Sequence, residues 1–174
     1  MLKQRVLSAV VFVPLFLGIA YLGGLAFDIF LALILSFAGF EFARMIDASG
    51  YEVSFILVIG AILAITLLRI LSSITINFLF LPVVLAILGG FALWKFEHND
   101  HQALQSLIIQ FFGVFYIGVL GTYGIALNHS GTHGNLWVVT TVALVWLVDA
   151  GAYFFGTRFG KRVVLPQLSP KKTL

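Results

Sequence analysis

Six apolar stretches, each close to the length that carries an α-helix across a bilayer, decide what this chain can fold into. They run over 6–22, 25–43, 53–71, 74–94, 104–127 and 136–155. A bilayer core takes roughly 20 mostly apolar helical residues. The fourth and fifth stretches hold no charged residue at all. The apolar runs do not alternate with polar residues, which excludes barrel strands and leaves helices. Only 10% of the residues are charged, against ~25% in an ordinary soluble domain, so a soluble fold or a disordered chain is excluded as well. The expectation is an all-α, polytopic membrane bundle of about six transmembrane helices forming one domain over 1–174. With no cysteine, disulfides, thiolate zinc sites and thiol nucleophiles are out of reach.

The cations orient the bundle. With a cytoplasmic N-terminus, Lys3, Arg5, Arg44, Lys95, Arg158, Lys161, Arg162, Lys171 and Lys172 fall inside and Arg69 alone falls outside, as the positive-inside bias requires. The first stretch follows Lys3 and Arg5 as a signal peptide would, but its length and the adjoining second stretch mark it as a retained helix. Gly23 and Gly24 leave only a very tight connection between these two stretches. Pro14 and Pro82 lie inside spans, where a kink is expected. Beyond Phe155 the composition turns polar and basic, so 156–174 reads as a cytoplasmic tail, and chemistry is sought where the sixth span meets it.

Asp149 stands out because a carboxylate inside an apolar helix costs several kcal/mol and faces a cavity, a cation or a metal. Its plain alternative is a pair with Arg158 near the interface. Gly151, Gly156 and Gly160 with Ala150 and Ala152 give a small-residue face beside it, the ordinary signature of close helix packing. Gly156–Lys161 resembles a phosphate-binding loop but is one residue short and has Arg162 where Ser or Thr is needed. Ser169-Pro170 reads as a helix N-cap and first position, which with Lys171 and Lys172 would suit a phosphate or, equally, anionic headgroups. His98 and His101 fall on one side of the bilayer and His129 and His133 on the other, so they cannot share a metal and read as solvated loop residues. Glu41 and Arg44, one turn apart, read as an interfacial ion pair. The phenylalanines show no stacking pattern for nucleic acid, and no nucleic-acid partner is expected.

The run Asp149-Ala150-Gly151-Ala152-Tyr153-Phe154-Phe155-Gly156-Thr157-Arg158-Phe159-Gly160-Lys161, followed by Pro166-Gln167-Leu168-Ser169-Pro170-Lys171-Lys172-Thr173, closely resembles the phosphatidate cytidylyltransferase (CDP-diacylglycerol synthase) family. Leu2–Ala9 is similar to that family's opening, and Glu41-Phe42-Ala43-Arg44 fits its second helix. Further on the family carries Lys-Arg and Lys-Asp, Pro-Gly-His-Gly-Gly and an Asp-Arg pair with metal-binding aspartates. The sequence ends at Leu174 ahead of them, so the resemblance implies an N-terminal portion or a truncated product.

The resemblance implies a bacterial inner-membrane enzyme of phospholipid biosynthesis that joins CTP to phosphatidate, giving CDP-diacylglycerol and pyrophosphate on the cytoplasmic side. It implies that Lys161, Ser169, Lys171, Lys172 and Thr173, with Arg158, hold phosphates, and that Asp149 orients a lysine or a metal. Mg²⁺ is the expected cofactor, its main ligands lying in the family's later aspartates; CTP and phosphatidate are the expected partners, and homo-oligomers are allowed. Two readings stay open beside it. One is a CTP-dependent polyprenol kinase or another lipid-phosphate cytidylyltransferase. The other is a non-catalytic membrane subunit or a small transporter using Asp149 in an ion path.

Overall fold

The computed structural model describes residues 2–71, 74–98, 102–160, 163–165 and 169–173. Among them six helical rods follow one another through short connections: α1 (Leu2–Leu22), α2 (Gly24–Ala48), α3 (Phe55–Leu71), α4 (Ile74–Glu97), a composite rod over Ala103–Asn128, and α7 (Gly134–Phe159). The all-α membrane architecture holds. Gly24–Ala48, Ala103–Asn128 and Gly131–Phe159 are each long and apolar enough to cross a bilayer. A two-stranded antiparallel hairpin follows, β1 (Val163–Leu165) against β2 (Ser169–Thr173).

The composite rod explains how the bundle closes. Its first part, α5 (Ala103–Gly113), buries Ala103, Ser106, Gln110 and Gly113, a helical spacing. A π-helical turn over Val114–Leu120 then inserts one extra residue. The buried face restarts one position later, at Val114 and Gly118, and continues through Thr122, Ile125 and Asn128 into α6 (Tyr123–Asn128). A π-turn widens the coil and rotates everything after it relative to an unbroken α-helix. Glycines let this widened segment lie close to its neighbours: a Cβ on Gly113 would fall 2.1 Å from the Phe42 ring, and one on Gly121 would fall 2.4 Å from Leu35.

The main core gathers Leu35 from α2, Val58, Ile62 and Ile65 from α3, Val84 and Leu88 from α4, and Val114 from the π-turn. A second, smaller cluster of Ala20, Phe27 and Val138, with Phe16, Ile19 and Val139 around it, joins α1, α2 and α7 at the end of the bundle where α1 turns into α2. That turn runs through Gly23 and Gly24, with φ of 62° and 57°. Successive left-handed residues suit glycine alone. A Cβ on Gly23 would also meet Asn128 Oδ1 and Asn135 Cβ at 3.0 Å.

Many polar groups inside this apolar bundle are hydrogen-bonded, as burial without water favours, although Ser106 Oγ and Asn128 Oδ1 are buried without a partner among the described residues. Gln110 accepts from the Ser54 N–H (3.1 Å) and donates to the Ser106 carbonyl (3.2 Å), bridging the start of α3 to α5. Thr66 and Thr122 return their hydroxyl protons to the carbonyls of Ile62 and Val119. Arg69 is buried with its guanidinium 4.8 Å from the centre of the Tyr123 ring. Glu41 and Arg44 are both exposed, and no ion pair joins them, contrary to the sequence expectation.

Candidate functional site

Among the described residues helix α7 meets chiefly α1 and α6, with smaller contacts to the Gly131–His133 turn and to β2. Only 6% of its central residues are buried inside the protein, against 33% for the Ala103–Asn128 rod. It is docked through its first half, where Val138 is buried and Trp146 meets Phe16 with ring centres 6.0 Å apart. Asp149 follows within one turn of Trp146, exposed on the helix surface. At ~100° and ~1.5 Å per residue, Asp149 and Arg158 point to opposite sides of α7 and stand about 14 Å apart along the axis. They do not pair, which removes the interfacial-pair reading. Asp149 has no hydrogen-bond or ion-pair partner among the described residues.

The same rotation puts Ala152, Gly156 and Gly160 in line with Asp149, at +3, +7 and +11. A track of small residues therefore runs from the carboxylate to the end of the helix. The helix closes there with Thr157 Oγ1 donating to the Tyr153 carbonyl (2.9 Å) and the Gly160 N–H donating to the Gly156 carbonyl (3.1 Å). Gly160 then leaves in an extended conformation (ψ 118°), aiming the chain into the hairpin. Arg158 is exposed in the last turn.

The hairpin corrects one sequence expectation. Ser169-Pro170 does not open a helix; Ser169–Thr173 is strand β2, paired Val163↔Thr173 and Leu165↔Ser169 with an irregularity between. The local capping signal loses to pairing with β1, whose Val163 and Val164 favour a strand. No helix dipole is aimed from Pro170. β2 folds back onto α7, which carries the backbone of Ser169, Lys171, Lys172 and Thr173 toward the helix that bears Asp149 and Arg158. Lys161 lies outside the described residues, as do Arg162 and His101.

Asp149 is a single carboxylate, and no three His, Asp or Glu side chains converge among the described residues.

A second polar centre, at the opposite end of α7, escaped the sequence reading. Asp28 is 1% exposed in α2. Its Oδ2 lies 2.7 Å from His129 Nε2, and its Oδ1 accepts from Asn128 Nδ2 at 3.3 Å. Asn128 Nδ2 also donates to the Gly24 carbonyl (3.3 Å), and Asn135 Nδ2 donates to the Tyr21 carbonyl (2.7 Å). His129 is solvent-exposed as expected, and it is at the same time the partner of a buried acid. His133 is exposed, and His98 packs on Trp94 with ring centres 4.6 Å apart. The available signal was Asp28 itself, a carboxylate placed after Phe27 in an apolar run.

Helical rods packed through glycine contacts, three of them long and apolar enough to cross a bilayer, define a polytopic membrane protein. The chain belongs to the cytidylyltransferase family, whose model matches residues 3–174. It is 29% identical over 193 residues to a phosphatidate cytidylyltransferase of Pseudomonas aeruginosa, covering 99% of this chain and 64% of that protein. The protein of the same name from Synechocystis is 26% identical over 200 residues, covering 98% and 66%. That of Bacillus subtilis is 36% identical over 59 residues, covering 34% and 22%. The chain thus spans about two thirds of the length of the relatives that it matches nearly end to end. No solved structure matches it significantly.

Proposed function

We propose that this chain takes part in transferring a cytidylyl group from CTP to phosphatidate. A phosphate oxygen of the lipid attacks the α-phosphorus of CTP. The bond from that phosphorus to the bridging oxygen breaks, and pyrophosphate leaves, giving CDP-diacylglycerol. The nucleophile arrives charged on the substrate, so no activated serine or cysteine is needed. The obstacle is bringing two polyanions together while negative charge builds on the departing pyrophosphate. Fixed cations aimed at that charge lower the barrier most.

The roles proposed here are those the family resemblance implies. Lys161, Lys171, Lys172 and Arg158 neutralise triphosphate and lipid phosphate, and Ser169 and Thr173 donate hydrogen bonds to phosphate oxygens. Asp149 orients a cation or a lysine amine through its carboxylate. CTP is water-soluble and phosphatidate is held in the bilayer, so the reaction belongs where α7 leaves the membrane, on the cytoplasmic side of the bacterial inner membrane. The observation that carries this reading is the family match over residues 3–174; the return of β2 onto α7 is consistent with it. Membranes containing the protein are supplied with labelled CTP and phosphatidate, and label is followed into extracted lipid. Incorporation that collapses in the Lys171→Ala, Lys172→Ala double variant supports the assignment. Undiminished incorporation overturns it, and label entering polyprenyl phosphate in preference to phosphatidate favours the isoprenoid reading.

A further inference from the structure

Away from α7, the surface between α3 and α4 holds a groove of about 200 Å³ whose floor is made of small residues, Gly60, Ala61 and Ala64, and whose wall is Ile56, Val84 and Leu88. Nothing lies within 4 Å of where a Gly60 Cβ would stand. An apolar furrow of this kind on a membrane helix fits a hydrocarbon chain, and the groove's mouth says which kind of molecule would bring one.

Val84, Leu88, Phe91 and Lys95 are spaced +4, +7 and +11 along α4 and so share one face. The wall of the groove thus leads to Lys95. On the α3 side Ile56 follows four residues after Glu52, and Lys95 is paired with Glu52. The Lys95 amine also lies 5.3 Å from the centre of the Phe91 ring. The ion pair is lopsided: the Lys95 side chain is 14% exposed and that of Glu52 is 71% exposed. The cation is held about 10 Å along α4 beyond Leu88 at the groove's end, while Glu52, one of its partners, stands in solvent and is exchangeable. Trp94, stacked on Phe91 and 58% exposed, marks the depth, since such aromatics settle at headgroup level.

A fixed cation beside a headgroup-level aromatic, one to two turns along α4 from an apolar furrow, complements an anionic amphiphile. We propose that the α3–α4 groove is a binding site for a phospholipid with an anionic phosphate headgroup. One acyl chain lies over Gly60 and Ala64, and the phosphate displaces Glu52 from Lys95. The site owes nothing to the catalytic reading, because neither CTP nor any residue of α7 or the hairpin enters it.

The test uses the full chain in detergent micelles with Trp137→Phe and Trp146→Phe, so that Trp94 reports alone. Phosphatidate with brominated acyl chains is titrated in against an excess of phosphatidylcholine, and quenching of the tryptophan emission is followed. The expected result is saturable quenching, weakened about tenfold by Lys95→Gln, the loss of one charge-assisted contact, and comparably by Gly60→Leu, which fills the furrow. Glu52→Gln breaks the same ion pair but leaves the cation, so it preserves or tightens binding; a purely structural pair would give both variants the same defect. Should Lys95→Gln fail to fold, Glu52→Gln and Gly60→Leu decide. Equal quenching by brominated phosphatidylcholine overturns the proposal. So does displacement of the lipid by glycerol phosphate at equal concentration, which would mean an anion site without a chain. A groove filled by a second copy instead would show as dimers that Gly60→Leu dissociates while quenching stays unchanged, and that too overturns it.

Discussion

Helices α2 to α6 and helix α7 are built of similar residues and used in opposite ways. In the former, burial is shared among several rods, glycines admit neighbouring side chains to within contact, and each buried charge meets a partner on another element, Asp28 at His129 and Arg69 at Tyr123. In α7 the apolar surface stays open and the one acid has no partner among the described residues. Cohesion and chemistry are thereby carried by different helices. A carboxylate left uncompensated in an apolar helix is a cost, and it is borne by the rod whose loss of packing disturbs the others least.

Substitutions ordered by their effect on folding probe this division. Gly134→Ala, where α6 hands over to α7, sets a Cβ 2.0 Å from the Asn128 carbonyl oxygen. Backbone cannot step aside as a side chain does, so a loss of about 3 kcal/mol is expected, seen as a collapse of the thermal transition in micelles followed by circular dichroism. His129→Leu strands the Asp28 carboxylate and should cost about 3 kcal/mol, most of it recovered by adding Asp28→Asn. A double-variant cycle in which the two losses simply add removes the pairing argument. Gln110→Leu leaves the Ser54 N–H without its acceptor and should cost about 1–2 kcal/mol, read as a lowered midpoint in denaturant. At the small end, Asp149→Asn should leave stability within about 0.5 kcal/mol, while cytidylyl incorporation in membranes is lost. If Asp149→Asn instead destabilises as strongly as His129→Leu, the acid is structural and the contrast between the two regions fails.

Hydropathy made the rods legible because each must satisfy its backbone internally and offer an apolar surface, and both demands are local. What stayed hidden depends on distant partners. The π-turn over Val114–Leu120 is written in no propensity; it follows from Gly113 and Gly121 meeting Phe42 and Leu35 on another helix. Asp28 and His129 are a hundred residues apart, and nothing in either neighbourhood names the other. At the candidate site the lysines and Asp149 were visible as chemistry out of place, yet the strand that carries Ser169–Thr173 was not. Ser169-Pro170 is a sound helix opening whose fate was decided by Val163 and Val164.

The turn between α1 and α2 bears on how the protein enters the membrane. With a single residue, Gly23, separating the two helices, there is no polar loop to be passed across on its own. Half of this pair standing alone in lipid would leave the carbonyls at the end of α1 and the amides at the start of α2 without their folded surroundings. The two helices are therefore expected to insert as one hairpin, and lengthening that tip would uncouple a step the sequence has welded.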